Sequence, residues 1–344
     1  MKRKKGFLVL FLVLTAGAFF LCGSSIVLAK AIELSYANFF PPTHIQTKLG
    51  ASWAKEIEKR TNGKVKITYY PGGSLLNGPK MYDGIRKGIT DIGMSVFAYN
   101  RGVFPAMEAF DLPLGYMSGR SNTFIVNDFY DKFKPKELSR VKVLYLHAHG
   151  PGLLLSKKPV RTLDDLMGLK IRAVGSGSKE AEALGAVPVS MGQGAVYEAL
   201  QKGVVDASFS PVEVLKGWKQ AEVIKYIVDS FSVSYSHGFY VCMNLDKWNA
   251  LPKDVQKVME FTSLEWIGKH GMAWDMSDAE GRSFALGLGN KVITLSDKES
   301  ARWAEAVKPV MAGYVKKAED KGLPGQYYVD TIRALIKKYE WSPD

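Results

Sequence analysis

The sequence predicts an α/β fold of two lobes joined by a long helix, and three observations predict it. The 344 residues exceed the length of a typical single domain. Short stretches of alternating apolar and polar residues recur between amphipathic stretches of helical spacing, the pattern of a sheet covered by helices. A helical pattern also runs from Pro252 to about Leu286, about 50 Å at 1.5 Å per residue, which is long enough to brace two lobes.

The N-terminal 31 residues have the layout of a secretory signal peptide. Four basic residues at positions 2–5 precede an apolar run at 6–21, and small residues lead to Ala29 and Ala31. We expect cleavage after one of these alanines and a periplasmic mature protein. A retained membrane anchor is the alternative. Lipidation at Cys22 is disfavoured, because the bulky residues 19–21 precede it where a lipoprotein cleavage site needs small ones.

Charge and cysteine content narrow the function classes. The formal charge of +12 falls by 5 to +7 without residues 1–31. The remaining basic residues are scattered among acidic ones, without a basic stripe interleaved with aromatics, so we expect no nucleic-acid partner. Only Cys242 remains in the mature chain, which excludes an intramolecular disulfide, and an exported protein without a disulfide suits a bacterial periplasm.

The first half of the mature chain predicts one α/β lobe. Alternating patterns predict strands at 32–36, 64–70 and 91–96, and helical spacing predicts helices at 44–59, 78–87 and 121–138. A further strand, 141–149, leads into Gly150-Pro151-Gly152, where glycines suggest a crossover between the lobes. We therefore assign 32–150 and 238–275 to lobe I, and 151–237 and 276–344, with two C-terminal helices at 297–321 and 327–339, to lobe II.

Residues 163–211 contain the most informative unit. The run 168–172 predicts a turn and a short apolar strand ending in Arg172, followed by a glycine and serine loop at 175–178. Gly203 predicts a helix end before a second strand at 204–209, which makes a βαβ unit. A guanidinium at a strand end matches a carboxylate with paired donors. The alternative is a structural salt bridge to a neighbouring strand or helix.

Enzyme signatures are absent from the sequence. There is no phosphate-binding loop, nucleophile elbow or zinc-protease motif, and Gly192-Gln193-Gly194 is too short a match to a dinucleotide fingerprint. We expect neither catalysis nor a cofactor. His147 and His149 share one face of a strand and can chelate a metal, so a secreted metal-dependent enzyme is an alternative, although no third ligand is identifiable.

Several aromatic residues lie at predicted strand ends or loops around Arg172. Each by itself is better explained as core, but together they suit an acid with an apolar body and an anionic head. They are Phe39, Phe40, Phe97, Phe209, Trp218 and Tyr235.

The chain resembles the solute-binding proteins of tripartite ATP-independent periplasmic (TRAP) transporters, the DctP family. The resemblance rests on stretches in the family's order and spacing: 70–75, 88–93, 111–113, 163–172, 184–188, 197–206 and 248–252. It implies two α/β lobes with crossing strands, ligand capture by hinge closure, and delivery to the large and small membrane subunits of a permease. It also implies that Arg172 binds a ligand carboxylate.

Departures from the family pattern limit the ligand. Sialic-acid binders of the family carry a second arginine where this chain has Gly150-Pro151-Gly152. They also have an asparagine before a proline where this chain has Ser210, and an aromatic residue where this chain has Gln193. One guanidinium favours a monocarboxylate, hydrophobic or aromatic, over a sialic acid or a C4 dicarboxylate. A sensory receptor of the same fold is the alternative. The predicted ligand-binding residues are Phe39, Phe40, Ser95, Phe97, His149, Arg172, Gln193, Phe209, Ser210, Trp218, Tyr235 and His237.

Overall fold

A computed structural model describes residues 30–340. The predicted signal peptide lies outside these residues, except for its last two positions. Within the described chain the strands are β1 (Ile32–Asn38), β2 (Val65–Tyr70), β3 (Ile92–Val96), β4 (Val141–Ala148), β5 (Gly152–Ser156), β6 (Lys170–Arg172), β7 (Val187–Val189), β8 (Ala207–Pro211), β9 (Tyr226–Asp229), β10 (Gly238–Asn244) and β11 (Lys291–Thr294). They form a five-stranded sheet, β2-β1-β3-β10-β4, and a six-stranded sheet, β11-β9-β5-β8-β6-β7. Each sheet is the centre of one lobe.

Helices cover both sheets. They are α1 (Ile45–Arg60), α2 (Met81–Arg86), α3 (Gly119–Phe133), α4 (Gly177–Ala183), α5 (Val196–Gln201), α6 (Val214–Gly217), α7 (Leu245–Ala250), α8 (Lys253–Gly287), α9 (Asp297–Glu319) and α10 (Gly325–Glu340). Between residues 30 and 340, no helix combines the length and the apolar character that crossing a membrane requires.

The first sheet begins with the predicted β-α-β unit. β1 pairs in parallel with β2 and β3, and α1 covers them with Trp53 and Ile57 fully buried. The side chain of His44 caps α1 by accepting from the Gln46 backbone, and the basic residues Lys59 and Arg60 occupy its last turn, where the helix dipole favours them.

Two strand connections cross between the sheets, as predicted for the fold, and α8 then leads the chain back to β11 of the second sheet. β4 belongs to the first sheet and β5 to the second, and β10 returns to the first sheet, antiparallel to β3 and β4. Gly152 permits the close packing of the two crossing segments. A Cβ there would lie 2.3 Å from the ring of Tyr235, whose carbonyl accepts from the Gly152 N–H at 2.7 Å.

The second sheet contains one more strand than the sequence predicts between Arg172 and Pro211. β6 pairs in parallel with both β7 and β8, so the unit is β6-α4-β7-α5-β8. β7 was not predicted because it has three residues and contains Pro188, which favours an edge position since it has no N–H to donate.

Helix α8 is continuous over 35 residues and braces both lobes. It packs on α1, α3 and β4 of the first lobe and on α6 of the second. Two glycines of this helix are sites of close approach. A Cβ on Gly281 would lie 2.4 Å from the Val212 carbonyl oxygen, and one on Gly271 would lie 3.1 Å from the Arg120 Cα.

The last two helices pass from the second lobe to the first. Trp303 and Val307 of α9 belong to the hydrophobic core of the second lobe, whereas Tyr314 lies in the core of the first. Tyr328 and Ile332 of α10 also pack in the first-lobe core. This packing differs from the assignment of all of 276–344 to lobe II, because an amphipathic pattern indicates that a helix buries one face but not which sheet covers it.

Substituting Gly281 tests the bracing contact. Gly281→Ala should lower the free energy of unfolding by about 1–3 kcal/mol, because the new methyl group overlaps the Val212 carbonyl. The matched control is Gly268→Ala in the same helix, where nothing lies within 4 Å of the new Cβ; it should raise stability by up to about 1 kcal/mol. Urea unfolding measures both, and a stabilising Gly281→Ala would refute the close contact.

Candidate functional site

A small cavity of about 40 Å³ lies between the two lobes, and we call it the interlobe cavity. Its lining comes from loops and strand ends of both sheets. The lining residues are Phe39, Phe40, Val96, Tyr99, His149, Arg172, Val174, Gln193, Pro211, Glu213, Val214, Trp218, Tyr235, His237 and Phe239.

Arg172 is the central charge of this cavity. It ends β6 and is only 4% exposed. Its Nε and Nη2 donate to the Met191 carbonyl oxygen at 3.2 and 3.1 Å, and its Nη1 lies 3.5 Å from the Phe209 carbonyl oxygen. Within residues 30–340 no carboxylate lies within 4.0 Å of its nitrogens. The structural salt bridge is therefore not present in the described chain, and the guanidinium retains donors for an anion.

Tyr99 connects the first lobe to the arginine side of the cavity. Its hydroxyl oxygen accepts a hydrogen bond from the Gln193 backbone N–H at 3.0 Å. Burial raises the pKa of the Tyr99 phenol, and the nearby charge of Arg172 offsets part of that increase. Tyr99 was not among the predicted site residues, although it lies two residues after Phe97 at the end of a predicted strand.

Aromatic rings form one wall of the cavity, which we call the aromatic wall. The Phe39 ring is stacked on Phe40 at 4.5 Å, and its centroid lies 6.3 Å from Trp218 and 6.5 Å from Phe239. The Phe40 ring also lies 5.6 Å from Trp218. Since Phe39, Phe40 and Phe239 belong to the first lobe and Trp218 to the second, an apolar ligand in the cavity contacts both lobes.

A buried polar contact joins the lobes beside this wall. His44 Nε2 lies 2.8 Å from Glu213 Oε2, and both side chains are almost fully buried. His44 Nδ1 accepts from the Gln46 N–H at 3.2 Å, so its proton lies on Nε2 and faces the Glu213 carboxylate. A Cβ on Gly217 would lie 2.6 Å from Glu213 Oε2 and 2.8 Å from the His44 ring, so a larger residue there would displace this contact. The sequence carried no signal for this contact.

His147 and His149 do not form a metal site in the described residues. His149 Nδ1 contacts the Gly150 carbonyl oxygen, and its Nε2 accepts from the His237 N–H at 3.0 Å, so both nitrogens are engaged. His147 Nδ1 accepts from the Trp274 indole at 3.0 Å. No group of three or more His, Cys, Asp or Glu side chains within positions 30–340 is arranged to hold a metal. The metal alternative has no third ligand there.

Eight of the twelve predicted ligand-binding residues line the interlobe cavity: Phe39, Phe40, His149, Arg172, Gln193, Trp218, Tyr235 and His237. Tyr99, Glu213 and Phe239 also line it but were not predicted. Phe239 lies on β10, a strand that was not predicted either.

The other four predicted residues are buried away from the cavity lining. Ser95 Oγ donates to the Gly78 carbonyl at 2.8 Å, and Ser210 Oγ lies 2.7 Å from Ser208 Oγ. Phe97 belongs to the first-lobe core and Phe209 to the second-lobe core, although the Phe209 carbonyl contacts Arg172. Successive strand residues face opposite sides of a sheet, so proximity in sequence did not fix which side chains face the ligand side.

A larger cavity of about 450 Å³ lies elsewhere between the lobes. Two of its basic residues are already paired, Lys317 with Glu108 at 2.8 Å and Lys179 with Glu182 at 2.7 Å. The smaller cavity is the better candidate site, because it contains a buried cation without a carboxylate partner in the described chain.

Two α/β lobes with crossing strands, a bracing helix and a cavity between them define a solute-binding protein. Residues 36–318 match the model of the bacterial extracellular solute-binding protein, family 7 (DctP). The chain belongs to this family, and the resemblance to TRAP solute-binding proteins is confirmed.

Relatives and solved structures agree with this assignment. The C4-dicarboxylate-binding periplasmic protein DctP of Rhodobacter capsulatus is 27% identical over 82% of this chain and 86% of its own. A TRAP solute-binding protein of Desulfovibrio salexigens is 38% identical, with a TM-score of 0.80 over 91% of this chain and 98% of its own; its ligand site holds the C-terminus of a symmetry mate. A marine metagenome TRAP solute-binding protein specific for aromatic acids is 31% identical, with a TM-score of 0.85 over 90% of this chain and 99% of its own.

His270 tests the buried layer behind the aromatic wall, where it stacks on His147 at 4.4 Å. Burial lowers the pKa of His270 to about 3, against about 6.5 in an unfolded chain. The unfolded state therefore takes up a proton that the folded state does not, and stability is lost as pH falls from about 6.5 toward about 3. His270→Gln removes this protonation. Between about pH 6 and pH 4, the free energy of unfolding of the variant should therefore fall less steeply than that of the natural protein, by about 1.4 kcal/mol per pH unit. Denaturant unfolding at several pH values measures it; equal slopes in both proteins would contradict the expectation.

Proposed function

We propose that this protein binds a small aromatic monocarboxylate between its lobes and delivers it to a TRAP membrane permease. TRAP solute-binding proteins bind small carboxylates and work with membrane permease subunits. The observation that carries the proposal for this chain is the buried guanidinium of Arg172, which has no carboxylate partner in the described residues and faces a wall of aromatic rings.

Charge supports a single carboxylate. Arg172 is the one lysine or arginine among the described lining residues. The lining carboxylate, Glu213, is already engaged by His44. A guanidinium binds one carboxylate through two parallel hydrogen bonds, whereas a second carboxylate in this cavity would be buried without a cationic partner, which is costly.

The aromatic wall supports an aromatic body for the ligand. Similar proteins with solved structures point the same way: that of Rhodoferax ferrireducens, 28% identical, contains copurified benzoate, and that of Bordetella bronchiseptica, 29% identical, contains mandelate. Offset or edge-on contacts between rings add about 0.5–1.5 kcal/mol to the burial of apolar area. Phe39, Phe40 and Trp218 can supply these contacts.

Ligand capture is coupled to the position of the lobes. The His44–Glu213 and Tyr99–Gln193 contacts join the lobes on either side of the cavity. A ligand that touches Arg172 and the aromatic rings at once binds better when the lobes are together, so binding shifts the protein toward that arrangement. Exclusion of water from the closed cavity also strengthens the arginine–carboxylate pair.

The family indicates where the protein acts and that the bound acid is transported. The family consists of extracellular solute-binding proteins, and we propose export through cleavage of the predicted signal peptide after Ala29 or Ala31. We propose that the bound acid leaves unchanged, without catalysis. No observation favours the sensory-receptor or metal-enzyme alternatives.

Arg172 provides the direct test. Arg172→Ala should weaken benzoate binding by about 2 kcal/mol or more, about 30-fold, because a buried carboxylate loses its partner. Arg172→Lys should recover only part of the loss, since an ammonium lacks the planar fork. Isothermal titration calorimetry measures both, with Arg333→Ala on the exposed face of α10 as control. Benzoate affinity unchanged in Arg172→Ala would refute the assignment.

Trp218 tests the aromatic character of the ligand. Trp218→Leu keeps an apolar side chain but removes the ring, so benzoate affinity should fall by about 1 kcal/mol, whereas the affinity for a small aliphatic acid such as butyrate should change less. Competition binding with both acids measures the difference. An equal loss for the two ligands would show that Trp218 supplies only apolar area.

A further inference from the structure

Asp111, in a stretch that resembles the family pattern but has no role in the proposed function, contacts a residue of the interlobe cavity. It ends a short 3-10 helix, Met107–Asp111, and is 1% exposed. Its Oδ1 lies 3.0 Å from Nδ1 of His237. The two atoms are within contact distance, but their geometry falls short of an aligned hydrogen bond, and neither carboxyl oxygen has another partner in the described residues.

The surroundings hold Asp111 in this position. Ser176 Oγ, from the second lobe, donates to the Asp111 backbone carbonyl. Gly175, at φ +57°, leaves room for the carboxyl group, because a Cβ there would lie 2.9 Å from Asp111 Oδ2. The second lobe therefore packs over the Asp111 carboxyl group. This carboxyl group lies on the Nδ1 side of the His237 ring and can fix the orientation of that ring.

His237 has a free nitrogen on the cavity side of this arrangement. The residue lines the interlobe cavity with Arg172 and is 5% exposed. The His237 ring packs against Tyr235 at 4.7 Å and His149 at 5.4 Å, and its Nε2 has no hydrogen-bond partner within the described chain. A buried polar atom without a partner is unfavourable, so a ligand atom that forms a hydrogen bond with it gains affinity.

The protonation of the pair decides whether Nε2 donates or accepts. Burial raises the pKa of the Asp111 carboxyl well above its usual range, and the charge of Glu108 adds to the increase. Burial, together with the charge of Arg172, lowers the pKa of His237 to about 3. When the Asp111 carboxyl group carries the proton beside His237 Nδ1, 3.0 Å away, the imidazole carries its own proton on Nε2. If the carboxyl proton of Asp111 moves to Nδ1 of His237, Nε2 still carries a proton. Nε2–H is therefore a hydrogen-bond donor whether that proton lies on Asp111 or on Nδ1.

We propose that His237, oriented by Asp111, donates a hydrogen bond from Nε2 to a hydroxyl or oxo oxygen on the carbon next to the ligand carboxylate. The site then prefers 2-hydroxy and 2-oxo aromatic acids to acids without that oxygen. This inference rests on the proposed function, because the carboxylate bound by Arg172 fixes the ligand beside His237. Asp111 is a positioning residue, since it acts through the imidazole.

Two ligands that differ only in the 2-hydroxyl group test the proposal: mandelate and phenylacetate. Calorimetry should give a mandelate affinity about tenfold above that of phenylacetate, the effect of one buried hydrogen bond. His237→Phe, which keeps a ring but removes the donor, should bring the affinity ratio close to one. Gln193→Leu removes another unpaired lining donor and tests the competing assignment, because a ratio lost in this variant and kept in His237→Phe would assign the contact to Gln193.

Two variants of Asp111 separate positioning from general stability. Asp111→Asn can still donate to Nδ1 through its amide and should keep the ratio, whereas Asp111→Leu should abolish it. Asp131→Leu, whose carboxylate is two-thirds exposed on α3, is the control and should keep the ratio.

The outcomes distinguish this proposal from the proposed function. Equal binding of mandelate and phenylacetate by the natural protein, a ratio unchanged in His237→Phe, or a ratio lost only in Gln193→Leu would overturn the role of His237 and leave an aromatic-acid receptor intact. Failure of the natural protein to bind either acid or benzoate would overturn both proposals.

Discussion

The buried charge of Arg172 is the constraint on which the rest of the site depends. Moving a guanidinium out of water costs several kcal/mol unless other groups replace its hydration. The Met191 and Phe209 carbonyl oxygens replace part of the hydration of the Arg172 guanidinium. Within residues 30–340 no carboxylate replaces the rest. The stability of the fold thus tolerates an incompletely compensated charge. In the proposed function a ligand carboxylate supplies the remaining partner, so the site prefers an anion to a neutral analogue of equal shape.

The two-lobed architecture places this charge where a ligand can reach it. Arg172 ends a strand of the second sheet, whereas Phe39 and Phe239 belong to the first, so neither lobe alone contains both the anion contact and the aromatic wall. The helix α8 packs on both lobes and keeps them in register, and His44 and Glu213 meet only when the lobes are together. In the proposed function, ligand binding and lobe closure are therefore linked equilibria.

Local periodicity allowed much of the fold to be predicted. The alternating residues of β1 and the apolar spacing of α8 placed both elements within a few residues, and Gly271 and Gly281 lie at close contacts of an unbroken α8. β7 was missed because a three-residue strand has no measurable period. In the site, Arg172 was identifiable as a charge at a strand end. Ser95 and Ser210 were misplaced relative to the cavity because a shift of one residue reverses the face of a strand. Tyr99, Glu213 and Phe239 come from segments far apart in sequence, so only tertiary packing brings them together.

Native mass spectrometry of freshly purified protein tests the central claim most directly, because a ligand enclosed between two lobes dissociates slowly enough to be weighed. The account predicts a retained small molecule whose mass and fragmentation identify an aromatic monocarboxylate, and predicts that Arg172→Ala purified in the same way retains none. A retained molecule without a carboxylate, or the same acid retained equally by Arg172→Ala, would contradict it.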